Sequence, residues 1–98
     1  MPAYVVFTRE KTRNADQLAK YKELTLQSFK EHPAKVLARH GRQEILEGPS
    51  AEDVLILQFE TYEDAKAWYE SPAYKAACLH RFQGGDYRAI LTEGLESC

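Results

Sequence analysis

Apolar positions along this chain change period several times, and each change marks an element. Tyr4-Val5-Val6-Phe7-Thr8 is β-branched and aromatic with no breaker, which predicts a strand. A charged loop is expected from Arg9 to Arg13. Asn14 then stands as a helix cap, with Gln17 three residues on and Asp16 suited to the positive end of the helix dipole. Leu18, Tyr21, Thr25 and Ser28 follow at helical spacing, and His32-Pro33 sets the limit of that helix. Lys35 to Arg39 reads as a second strand, which Glu44-Ile45-Leu46-Glu47 extends or re-forms after Gly41. Val54 to Phe59 is the third strand. Thr61 caps a short helix with Ala65, Trp68 and Tyr69 on one face. Ser71-Pro72 breaks that helix and restarts it, Ser as cap and Pro at the first helical position. Gln83-Gly84-Gly85-Asp86 is expected to turn, and Tyr87 to Thr92 forms the last strand.

The order is strand, helix, strand, strand, helix, strand. It predicts an α+β fold of the ferredoxin-like βαββαβ kind, an antiparallel four-stranded sheet in the order 4-1-3-2. Right-handed crossovers place the helices on one face of that sheet. Its central strands, however, are apolar on both faces. Tyr4 and Val6 point one way, Val5 and Phe7 the other; Val54 and Ile56 oppose Leu55, Leu57 and Phe59. A sheet with one wet face alternates apolar with polar. The open face therefore calls for a lid, and the tail after Gly94 is only four residues. A second copy of the sheet is the economical lid, so the expected partner is the protein itself, as a homodimer through the open sheet face.

Composition narrows the function classes. The 98 residues fit a single domain, 1–98, with an ordered core of about 3–94. A net charge of -2 and the lack of any basic run argue against a nucleic-acid partner. The longest apolar run, Val54 to Leu57, is too short for a bilayer, so no membrane role is expected. Met1-Pro2-Ala3-Tyr4 shows neither a basic region nor a cleavable apolar stretch, and Cys78 and Cys98 form no framework; both point to the cytoplasm. Cys78 reads as a small buried apolar residue.

The run Ala65-Lys66-Ala67-Trp68-Tyr69-Glu70-Ser71-Pro72-Ala73-Tyr74 resembles the signature of the domain-of-unknown-function 1330 family. Glu44 to Gly48, Gln58-Phe59 with Tyr62 to Ala65, Arg81 and Glu93-Gly94 resemble that family at the same relative spacing. The resemblance covers nearly the whole chain and implies a dimeric α/β barrel, two ferredoxin-like sheets face to face. Members often carry Gly-Gly before and after the second strand; here those places hold Pro33-Ala34 and His40-Gly41.

No phosphate loop, dinucleotide fingerprint or Gly-x-Ser-x-Gly elbow is present. His32, His40 and His80 stand alone, without metal-ligand spacing. Neither a metal nor a cofactor is expected. The chemistry rests on a few side chains. His40, at a strand end, suits a general acid or base, and Glu47 suits the same role or a pairing with Arg81. Trp68 and Tyr74 offer aromatic surface to a ligand, and Arg81 a clamp for a carboxylate. Taken singly, Trp68 and Tyr74 read more readily as core anchors and Arg81 as a bridge to Glu47 or Asp86, while His40 reads equally well as a loop residue. Together they suggest a cleft between sheet and helices that accepts a small carboxylate or carbonyl compound. If it is an enzyme, the superfamily resemblance implies a cofactor-independent isomerase, cyclase or monooxygenase. The alternative is a non-catalytic binding or interaction module.

Overall fold

The structure, a computed structural model, describes residues 1–95. Cys98 lies outside the described residues. Strand β1 runs Ala3–Thr12, helix α1 Ala15–Ser28, β2 Lys35–Arg39, β3 Asp53–Phe59, α2 Tyr62–Glu70, α3 Pro72–Gly84 and β4 Gly85–Glu93. The strands form one antiparallel sheet in the order β2-β3-β1-β4. This is the ferredoxin-like βαββαβ arrangement, with the second helix split at Ser71.

Local chemistry fixes the helix ends. The Asn14 side chain accepts from the amides of Asp16 and Gln17 at 3.1 and 3.2 Å, and the Thr61 hydroxyl from Asp64 at 3.0 Å. Each satisfies amides that have no partner in the first helical turn. Ser71 closes α2 and opens α3, its hydroxyl donating to the Trp68 carbonyl and accepting from the Tyr74 amide. Pro72 follows at the start of α3, where no donor is needed.

Two boundaries depart from the sequence expectation. The charged stretch Arg9–Thr12 is strand, not loop, because it pairs with the start of β4: Lys11 faces Asp86 and Thr12 faces Gly85, past a register shift between Arg9 and Lys11. Helix α3 runs to Gly84 and passes directly into β4, with no intervening turn. Glu44–Glu47 forms no strand, and the thirteen residues from His40 to Glu52 are an irregular, largely exposed link.

The helix-side face buries Ala3, Val5, Phe7, Leu57 and Phe59 under Tyr21, Ala65, Trp68, Tyr74, Ala77 and Cys78. Trp68 is the hub, stacked on Phe29 at 5.4 Å and packed on Phe59 at 5.3 Å and Tyr74 at 4.0 Å between ring centroids. Its indole N–H donates to the Ser28 hydroxyl at 2.8 Å, so even its polar atom is satisfied. The opposite face has no cover among the described residues. There Val6 lies between Ile56 and Ile90, and Ile90 is 46% exposed. No helix among the described residues is long and apolar enough to cross a membrane.

Candidate functional site

A cleft of about 440 Å³ opens on the helix side, between α1 and the sheet. It exists because α1 leans on α3 and leaves β2, whose five residues are all exposed, projecting beyond the helices. Gly84 sets that lean. A Cβ there would lie 2.6 Å from the Leu18 side chain and 3.0 Å from its backbone nitrogen. The Gly84 carbonyl also accepts from the Arg13 and Asn14 amides at 2.7 and 2.9 Å, which ties the start of α1 to the end of α3.

Most of the cleft wall is apolar: Leu18 and Leu26 from α1 and Phe29 just beyond its end face Val36, Leu55 and Leu57 from the sheet. The polar groups gather toward the β2–β3 end, where Arg9, Arg39, His40 and Asp53 meet, with Lys22 on the helix above. His40 Nδ1 lies 2.5 Å from Asp53 Oδ2. The Asp53 side chain is 13% exposed and its other oxygen accepts from the Val54 amide at 2.9 Å, so the carboxylate is held in place. With Nδ1–H donated to Asp53, the neutral imidazole keeps Nε2 as its free lone pair. His40 has φ +52, a left-handed conformation that non-glycine residues rarely adopt. Arg9 is paired with Glu52 at 3.2 Å, so it is Arg39 and Lys22, against the Asp53 carboxylate, that make this end attractive to an anion or to a developing oxyanion.

The inner wall is aromatic. Phe7, Tyr21 and Tyr87 line it. Tyr21 and Tyr74 share a hydrogen bond of 2.8 Å between hydroxyls. Burial pushes the Tyr21 phenol up to about 12, and burial holds Tyr74 well above the usual phenol range, so both stay neutral and able to donate.

Of the residues singled out in the sequence, only His40 lines the cleft. Trp68 and Tyr74 are fully buried core side chains with no surface for a ligand. Glu47 is exposed on the link between β2 and β3, away from His40's hydrogen bond. The bridges expected for Arg81 do not form: Asp86 pairs with Arg13 at 3.3 Å, and Arg81 Nε and Nη1 are buried without a partner among the described residues. Instead the guanidinium lies over Phe7, Phe82 and Tyr87. Asp53 was missed by sequence reasoning. Its signal was positional, since antiparallel pairing brings the end of β2 beside the start of β3. Among the described residues, no group of three or more His, Cys, Asp or Glu side chains could hold a metal ion.

A family model described as a domain of unknown function (DUF1330) matches residues 2–95. No curated protein matches the chain. Among solved structures, RPA0582, a protein of unknown function from Rhodopseudomonas palustris, is 21% identical with a TM-score of 0.72, covering 98% of this chain and 84% of that one. A dimeric ferredoxin-like protein of unknown function from Jannaschia sp. CCS1 is 11% identical, with a TM-score of 0.70 over 96% of this chain and 100% of that one. SnoaB, a cofactor-independent oxygenase from Streptomyces nogalater, is 9% identical, with a TM-score of 0.67 over 98% of this chain and 95% of that one. At such identities the likeness is one of fold. The family match spans nearly the whole length, and the chain belongs to the DUF1330 family.

Proposed function

We propose that the protein is a homodimer in which each subunit's helix-side cleft binds a small, partly apolar carboxylate or carbonyl compound and His40 moves a proton on it. The observation that carries this reading is the His40–Asp53 pair at the cationic end of an otherwise apolar cleft. Asp53 orients the ring and stabilises the imidazolium that forms when Nε2 accepts a proton. The proton comes from a carbon beside a carbonyl, and the electron pair moves onto the carbonyl oxygen. Arg39 and Lys22 line the same cleft and would stabilise that charge. Where a β,γ double bond extends the enolate, return of the proton to the γ carbon completes an isomerisation without a cofactor.

The dimer forms through the open sheet faces, Val6, Ile56 and Ile90 of one copy packing on those of the other. Its support is the apolar face left uncovered and the ferredoxin-like neighbour described as dimeric. The cytoplasm is the proposed compartment, in keeping with the free buried thiol of Cys78.

A binding module without turnover is the second reading, favoured by His40 being 49% exposed and thus open to water. Deuterium exchange separates the two. Phenylpyruvate, a simple 2-oxo acid with an enolisable CH₂, is incubated with protein in D₂O and followed by NMR. The proton-transfer reading expects exchange accelerated roughly 100-fold or more and lost in His40→Gln. Binding without acceleration supports the module; no binding at all contradicts both.

A further inference from the structure

A charged side chain enters a protein interior at a large desolvation cost, repaid by an opposite charge or by a full set of hydrogen bonds. Among the described residues Arg81 has neither: it is 5% exposed, and its Nε and Nη1 have no hydrogen-bond partner. Three rings surround it, with centroids 5.5 Å (Phe7), 5.2 Å (Phe82) and 5.4 Å (Tyr87) from the guanidinium carbon. Cation–π attraction offsets part of the cost, but a ring face takes no in-plane N–H. Asp86, the acid expected to pair with it, is engaged with Arg13 instead.

The place of this cation matters. Phe7 and Tyr87, which it touches, are also wall residues of the cleft, as is Tyr21. Tyr21 and Tyr87 lie 6.0 Å apart and tilted by 59°. The guanidinium thus stands directly behind the rings of the inner wall, of which Tyr87 is only half-buried. Across the sheet, Tyr87 faces Arg9, Arg9 faces Asp53, and Asp53 holds His40. Two strand spacings separate Tyr87 from Asp53, roughly 10 Å.

We propose that the inner end of the cleft is an anion subsite, in which Arg81 receives the carboxylate of the ligand between Phe7, Tyr21 and Tyr87. This rests on the cleft reading above and narrows its ligand to an acid. The carboxylate reaches Arg81 as Tyr87 turns aside, and an apolar body extends along the cleft toward the His40 end. A guanidinium fork matches a carboxylate in two parallel hydrogen bonds, which fixes the ligand's direction as well as its position.

The test titrates ¹⁵N-labelled protein with 4-phenylbutanoate and, separately, with the neutral 4-phenylbutanamide. The Arg81 Nε–H resonance is expected to move with the acid and stay with the amide. Acid affinity is expected to fall at least tenfold, about 1.4 kcal/mol, in Arg81→Met, with amide affinity unchanged. Arg81→Lys, which keeps the charge without the fork, should lose less. Equal acid binding by Arg81→Met, or a stationary Nε–H at saturation, overturns the subsite while leaving the cleft reading intact. Failure of acid and amide alike to shift any cleft resonance overturns both. Should Arg81→Met not fold, the wild-type Nε–H response decides alone.

Discussion

Replacement of His40 separates a side chain kept for chemistry from one kept for stability. Its φ of +52 places Cβ against the following carbonyl, at a cost of about 1–2 kcal/mol for any residue but glycine. What it receives in return is the bond to Asp53. With His40 49% exposed, that pair belongs with surface ion pairs, worth up to about 1 kcal/mol. His40→Ala keeps the backbone cost and loses the bond. His40→Gly loses the bond and sheds the cost. Glycine should therefore be the more stable variant by about 1 kcal/mol, the reverse of the usual order of these two residues. For a domain of this size that is a difference of about 4–8 °C in Tm. Against the wild type, His40→Gly should lie within about 1 kcal/mol of equal stability. Urea denaturation of the three proteins at one concentration, with equal m-values, reads the difference. A glycine variant less stable than the alanine variant would refute the strain argument. A loss of 3 kcal/mol or more in His40→Gly (about three times the pair's expected worth) would show that His40 holds the fold rather than serving the cleft.

Other changes probe the frame around the site. Gly84→Ala should lower Tm by several degrees and weaken ligand binding, because its Cβ would push Leu18 and the start of α1 off α3; binding and stability both unchanged would remove Gly84 as the determinant of the cleft. Tyr21 and Tyr74 should be the last tyrosines to ionise in a titration followed at 295 nm. Raised phenol values mean that the unfolded state loses protons first, so stability is full below pH 10 and falls as pH rises toward about 12. Tyr21→Phe should soften that alkaline loss, and an unaltered alkaline limb would count against the buried pair. Light scattering should give twice the chain mass at micromolar concentration, and Ile56→Lys on the open face should halve it; a monomeric wild type would contradict the dimer.

Much of the fold was legible because local signals agreed with the global one. Asn14, Thr61 and Ser71 cap the helices as their side chains suggest, and the two-faced apolar strands lie at the centre of the sheet. The misread stretches depend on distant partners. Arg9 to Thr12 carries no strand pattern of its own and is held by β4, more than seventy residues further along the chain, with Arg9 paired to Tyr87 and Thr12 to Gly85. The site was half legible. His40 was visible as a titratable group at a strand end. Asp53 was not, since nothing local tells an acid at a strand start that its partner sits thirteen residues earlier. Trp68 and Tyr74 were read as ligand contacts through their chemistry, but aromatic rings at helical spacing pack inward here, and even the indole N–H is spent on Ser28. Arg81 was expected to pair with Glu47 or Asp86; burial beneath the rings of Phe7 and Tyr87 keeps it from both.

The most direct test of the cleft as the functional site is an NMR titration of the wild-type protein with phenylpyruvate, following the His40 ring protons together with the backbone amides. Saturable shifts at His40, Asp53, Leu55 and the α1 residues Leu18 and Lys22, with the open-face residues Val6 and Ile56 unmoved, are the predicted result. Shifts confined to the open face, or a His40 ring indifferent to saturating ligand, would contradict it.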